Sequence, residues 1–97
     1  MSRAAVAERP WTFLTNHGHV LLAVAEDPEA RVRDIAERVG ITERAVHDIL
    51  GDLEAEGYLE RKRVGRRNRY RLRRGRRFRH PAESGRTVDD LVRIFRR

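Results

Sequence analysis

Residues 32–51 read VRDIAERVGITERAVHDILG. Val32, Ile35, Ala36 and Val39 fall at i, i+3, i+4 and i+7, one apolar stripe of a short amphipathic helix. Gly40 follows, where a helix end needs a residue tolerant of the left-handed conformation. Thr42 can cap a second helix, and Val46, Ile49, Leu50 and Leu53 repeat the same stripe. Ala36 is small where two crossing helices must approach closely. The spacing therefore predicts two short helices locked across each other through a sharp turn.

Outward from this pair, the chain reads as one small domain. Asn16 is a candidate cap for a preceding helix, with Phe13, Leu14, His17, Val20, Leu21 and Val24 near helical spacing; Asp27-Pro28 ends it. His17 is expected half-buried beside Phe13 and Leu21. After Gly57 the period changes to two: Tyr70 and Leu72 alternate with Arg69, Arg71 and Arg73, and residues 58–64 are the expected partner strand. Gly65, Arg66, Arg67 and Asn68 read as the turn between them. Gly75 to Gly85, with His80-Pro81 inside it, reads as extended coil. A last helix begins at Thr87, with Asp90 three residues on as a capping box. The implied organisation is an arm at 1–11, a domain at 12–80 and a C-terminal helix within 81–97.

Charge is unevenly placed. The net charge is +7, yet Met1 to Glu60 carries 6 basic and 12 acidic residues, while Arg61 to His80 carries 12 basic and none acidic. Such a segment beside an acidic remainder points to a polyanionic partner. Lys62 is the only lysine, so the cations are guanidinium forks suited to phosphate or guanine.

Residues 32–51 resemble the helix-turn-helix pattern over their whole length. Leu53-Glu54-Ala55-Glu56-Gly57-Tyr58-Leu59 and the basic hairpin after it resemble winged helix-turn-helix regulators of the MarR and ArsR type. The resemblance covers roughly residues 16–73. It implies a mainly α fold with a small β-hairpin: a three-helix core, a wing and a C-terminal helix. It also implies a sequence-specific regulator of transcription bound to double-stranded DNA. In those families the second helix of the motif enters the major groove and the wing reaches the minor groove or backbone. A repressor acting by occlusion is expected.

The second helix would present Thr42, Glu43, Arg44, His47, Asp48 and Gly51 away from its core stripe. Thr42 can bond a phosphate, which the helix N-terminus favours. Arg44 is the candidate for guanine, His47 for a base edge or phosphate, and Glu43 and Asp48 for cytosine N4. On the wing, Arg63, Arg66, Arg67 and Arg69 are phosphate candidates. Asn68 either reads a minor-groove acceptor or supplies a permissive turn conformation. Such proteins pair on two-fold sites. Val88, Leu91, Val92, Ile94 and Phe95 of the last helix are the candidate homodimer interface.

Other chemistries find no support. Without cysteine, disulfides and thiolate metal sites are excluded, and His17 and His19 fall on different helical faces, so no metal or other cofactor is expected. Ser84 lies in the coil without a catalytic partner pattern, and neither Gly65 nor Gly75 opens a helix, so no enzyme is expected. No apolar run is long enough to span a membrane, and residues 1–10 lack a hydrophobic signal core; a cytoplasmic, nucleoid-associated protein is expected. Nothing marks an effector ligand. The competing readings are a winged helix that holds RNA or protein, and a nonspecific DNA-packaging protein.

Overall fold

A computed structural model describes residues 11–96. The arm expected at residues 1–11 therefore lies, except for Trp11, outside the described residues. Three helices come first: α1 (Asn16–Glu26), α2 (Val32–Val39) and α3 (Glu43–Ala55). A two-stranded antiparallel hairpin follows, β1 (Leu59–Val64) and β2 (Arg67–Leu72), and then α4 (Val88–Phe95). The arrangement is mainly helical and is a winged helix.

The apolar stripes become one core. Ile35 and Ala36 of α2 meet Val46, Ile49, Leu50 and Leu53 of α3 and Val20, Leu21, Ala23 and Val24 of α1. Gly40 takes φ 85°, and the N–H groups of Gly40 and Ile41 both donate to the Ala36 carbonyl, at 2.8 and 3.1 Å. That double closure makes the sharp turn, and a side chain there would be strained. The Thr42 hydroxyl oxygen accepts from the Ala45 N–H at 3.0 Å and starts α3. Gly57 ends α3, with the Tyr58 N–H donating to the Leu53 carbonyl.

Several expectations are corrected. The cap of α1 is Thr15, which accepts from the Gly18 N–H at 3.3 Å, rather than Asn16, the first helical residue. Phe13 precedes the helix, is 93% exposed and stacks edge-on with Trp11 at 5.1 Å. His17 is exposed rather than half-buried, and its Nε2 lies 2.8 Å from Asp52 Oδ2 on α3. The turn is shorter than four residues. Val64 pairs with Arg67, leaving a two-residue loop in which Gly65 takes φ 62°. This is the pattern of a tight hairpin with glycine in the first loop position. Asn68 therefore stands in β2 opposite Arg63 and supplies no turn conformation.

Residues 75–85 are not extended coil. They fold into turns, with the Glu83 N–H donating to the His80 carbonyl, and return to an antiparallel bridge between Arg77 and Thr87. Tyr58 anchors this return by donating its hydroxyl to the Arg77 carbonyl at 2.6 Å. The Thr87 N–H donates to Asp90 Oδ2 at 3.5 Å, the expected capping box. Val88 and Val92 enter the core, so α4 is part of the same body as the helices before it.

Candidate nucleic-acid interface

α3 presents the expected face. Thr42, Glu43, Arg44, His47, Asp48 and Gly51 are all exposed, because the four aliphatics on the other side fix the rotation of the helix. Arg44 and His47 lie one turn apart on that face. Glu43 and Asp48 pair with no cation among the described residues. Farther along, the acidity is neutralised internally: Glu54 Oε2 is 3.3 Å from Arg61 Nε, and Glu56 Oε1 is 3.6 Å from Arg79 Nε. The two acidic residues of the face itself, Glu43 and Asp48, thus keep their charge, while the acidity nearer the C-terminal end of α3 is compensated.

Strand alternation divides the wing into two faces. Leu59, Arg61 and Arg63 of β1 share a face with Tyr70, Asn68 and Leu72 of β2. Leu59 and Tyr70 are buried there, and Arg61 reaches Glu54 of α3, so this face adjoins α3. Burial pushes the Tyr70 phenol above its ordinary range, which keeps it neutral. Glu60, Lys62, Val64, Arg67, Arg69 and Arg71 occupy the other face. The five wing residues singled out from sequence therefore separate. Arg63 and Asn68 stand on the α3 side, Arg66 sits at the tip, and Arg67 and Arg69 turn to the opposite side.

Arg67 and Arg69 have a local task that sequence reasoning missed. Arg67 Nη2 donates to the Glu29 carbonyl at 2.7 Å, and Arg69 Nη1 lies 3.8 Å from Glu29 Oε2. With the Tyr70 N–H donating to the Pro28 carbonyl at 3.0 Å, these contacts fasten β2 to the loop between α1 and α2. Their partner lies some forty residues upstream, so nothing local marks it.

Most of the basic segment is similarly engaged. Arg71 and Arg73 flank Glu60 at 3.1 and 3.5 Å. Arg63, Arg76 and Arg77 donate to the carbonyls of Gly65, Glu56 and Ser84. Among the described residues, Lys62, Arg66 and Arg74 are the members of the segment that engage neither a carboxylate nor a carbonyl through their side chains. Exposed ion pairs are worth little, about 0–1 kcal/mol, and exchange readily for a phosphate.

The candidate dimer residues separate as well. Val88 and Val92 are buried against α1, because eight helical residues must seal that side of a small core. Leu91 is half-buried, while Ile94 and Phe95 are 75% and 57% exposed. Phe95 borders a groove of about 550 Å³ between α1, α2 and α4, lined also by Leu22, Ala25, Val39 and Val92. Among the described residues, no helix is long and apolar enough to cross a membrane. The remaining histidines stand apart from one another: His19 contacts Thr12, His80 accepts from the Ala82 N–H, and His47 faces outward on α3.

A family model described as the MarR family matches residues 12–69, from before α1 into β2. No curated protein matches the chain.

Proposed function

Since the chain belongs to the MarR family of DNA-binding transcription regulators, we propose that it is a sequence-specific repressor that reads the major groove with α3 and grips the backbone with its wing. The observation that carries this reading is the pairing of an exposed, uncommitted Arg44–His47 face on α3 with an Arg66 tip and Arg63 on the adjoining wing face. Arg44 reads guanine through O6 and N7, and Thr42 and the α3 N-terminus hold a phosphate. His47 adds a base or phosphate contact, and Glu43 and Asp48 select cytosine N4 or repel a wrongly placed strand. Arg63, Arg66 and Asn68 meet the backbone or minor groove beside that site, Arg67 beside the tip joins them where a phosphate draws it from the Glu29 carbonyl, and Arg69, farther down the opposite face, stays with Glu29.

Two copies pair through Leu91, Ile94 and Phe95, with Val88 and Val92 supporting that face from within. A copy measuring 38 × 34 × 26 Å is commensurate with half-sites about 34 Å apart. Occlusion of a promoter in the cytoplasm follows from tight binding alone and needs no cofactor. Selection from a random duplex pool tests the reading. A two-fold consensus supports a regulator of this kind; a pool that emerges unenriched refutes specificity and leaves packaging, while preference for structured RNA moves the protein to RNA binding.

A further inference from the structure

On the far side of the wing, a groove of about 890 Å³ runs between β2, the C-terminal half of α1 and the end of α4. None of its lining residues belongs to α2 or α3. Lys62, Arg69, Arg71, Arg73 and Arg74 form one wall, and Arg96 closes the groove from α4. Glu60 is the one acidic residue lining it. Lys62 and Arg74 pair with no carboxylate among the described residues, so the groove holds uncompensated positive charge. Its floor is different in kind: Ala25, Pro28 and Leu72, all half-buried, offer aliphatic surface.

The geometry points to a docking groove for an extended acidic peptide segment of a partner protein. Three features choose this occupant. A duplex is read by elements that protrude into its grooves, whereas this surface is concave. Single-stranded nucleic acid needs exposed aromatic rings on which bases stack, and the one aromatic lining the groove is Tyr70, 8% exposed. An extended acidic peptide satisfies both parts of the surface. Its alternate side chains repeat about every 6.6 Å, the spacing of Arg69 and Arg71 on one face of β2. Carboxylates then meet the cationic wall while the intervening side chains rest on the aliphatic floor. Charge complementarity of this kind chiefly sets specificity and association rate. Because the groove shares no residue with α3, such a segment can dock while α3 and the wing tip hold a duplex.

Fluorescence anisotropy of a labelled decapeptide alternating glutamate and alanine tests this at about 0.1 M salt, where screening extends to about 10 Å. The comparators are the glutamine–alanine peptide, a labelled decathymidylate, and an unlabelled duplex of random sequence as competitor. The expected result is binding about tenfold tighter for the glutamate peptide than for either labelled comparator. The Lys62→Glu/Arg74→Glu variant removes most of that binding while its circular dichroism is unchanged, and Arg66→Ala leaves it within about twofold. Saturating duplex leaves the peptide bound. Equal binding of the glutamine peptide, equal or tighter binding of decathymidylate, displacement by duplex, or indifference to the double charge reversal each overturns the proposal.

Discussion

The two elements that would meet a duplex are held in place by different physics. α3 is fixed by Val46, Ile49, Leu50 and Leu53, all at most 7% exposed, and by a cap and a glycine turn. The wing buries Leu59 and Tyr70, rests Leu72 against the core, and is further tied to the body by a backbone hydrogen bond to Pro28 and by guanidinium contacts to Glu29 and Glu54. The rigid element carries few cations, and the cation-rich element is held by exchangeable contacts. Rigidity suits the placement of a bidentate base contact, and exchangeable arginines suit phosphates whose positions vary little with sequence. On the proposed function, this difference in anchoring would assign specificity to α3 and affinity to the wing.

The largest effect falls on the rigid half. Ile35→Ala removes a side chain 1% exposed at the α2–α3 crossing, and is expected to cost about 2–5 kcal/mol in urea denaturation, a large share of the stability of so small a domain. A change near zero breaks the picture of a core-locked recognition helix. Next in size, Arg66→Ala flattens the dependence of log K on log salt by about 0.9 for every phosphate that the variant no longer neutralises, equally on all duplexes. An unchanged slope takes the wing tip out of the interface.

Smaller still is Glu29→Gln, which ends the Arg69 ion pair but keeps the backbone carbonyl that Arg67 uses. Global stability is expected to move by less than about 1 kcal/mol. Hydrogen exchange at the Tyr70 amide is expected to quicken, because that amide bonds to Pro28 beside the broken pair. Exchange at Ile49 should stay as it was; equal quickening at both sites contradicts separate anchoring of the two elements.

The smallest concerns Asp89, held below its ordinary value of 3.8 first by the Gly75 N–H, which donates to Oδ1 at 3.0 Å. A folded-state value below the unfolded one means its contribution is present above the ordinary carboxylate range and is lost as pH falls through the folded value. Asp89→Asn should therefore lower Tm slightly near neutrality, and the gap to the parent should close in acid. A gap that persists in acid assigns the effect to something other than this carboxylate.

What the sequence made legible was local. Ile35, Ala36, Gly40 and the Val46–Leu53 stripe report their roles through spacing within one or two turns, and Thr42 and Thr87 stand beside the donors they serve. The misreadings came where neighbours compete or partners are distant. Thr15 and Asn16 are both capping residues, and the first became the cap while the second entered the helix. The hairpin closed at Gly65-Arg66 because the pairing of Val64 with Arg67 was fixed by Leu59 and Tyr70 reaching the core. The turns of residues 75–85 depend on Tyr58 and on the Arg77–Thr87 bridge. Above all, counting the cations of residues 61–80 treats them as free, whereas their partners Glu29, Glu54, Glu56 and Glu60 lie outside the segment.

The division between the two elements is tested most directly by the ratio of affinities for a selected duplex and a random one, measured for the parent, Arg44→Ala and Arg66→Ala. Arg44→Ala is expected to lower the ratio about 5- to 150-fold, the equivalent of about 1–3 kcal/mol, while random-duplex affinity barely changes. Arg66→Ala is expected to lower both affinities together and leave the ratio intact. The reverse pattern, with the ratio abolished in Arg66→Ala and kept in Arg44→Ala, would contradict it.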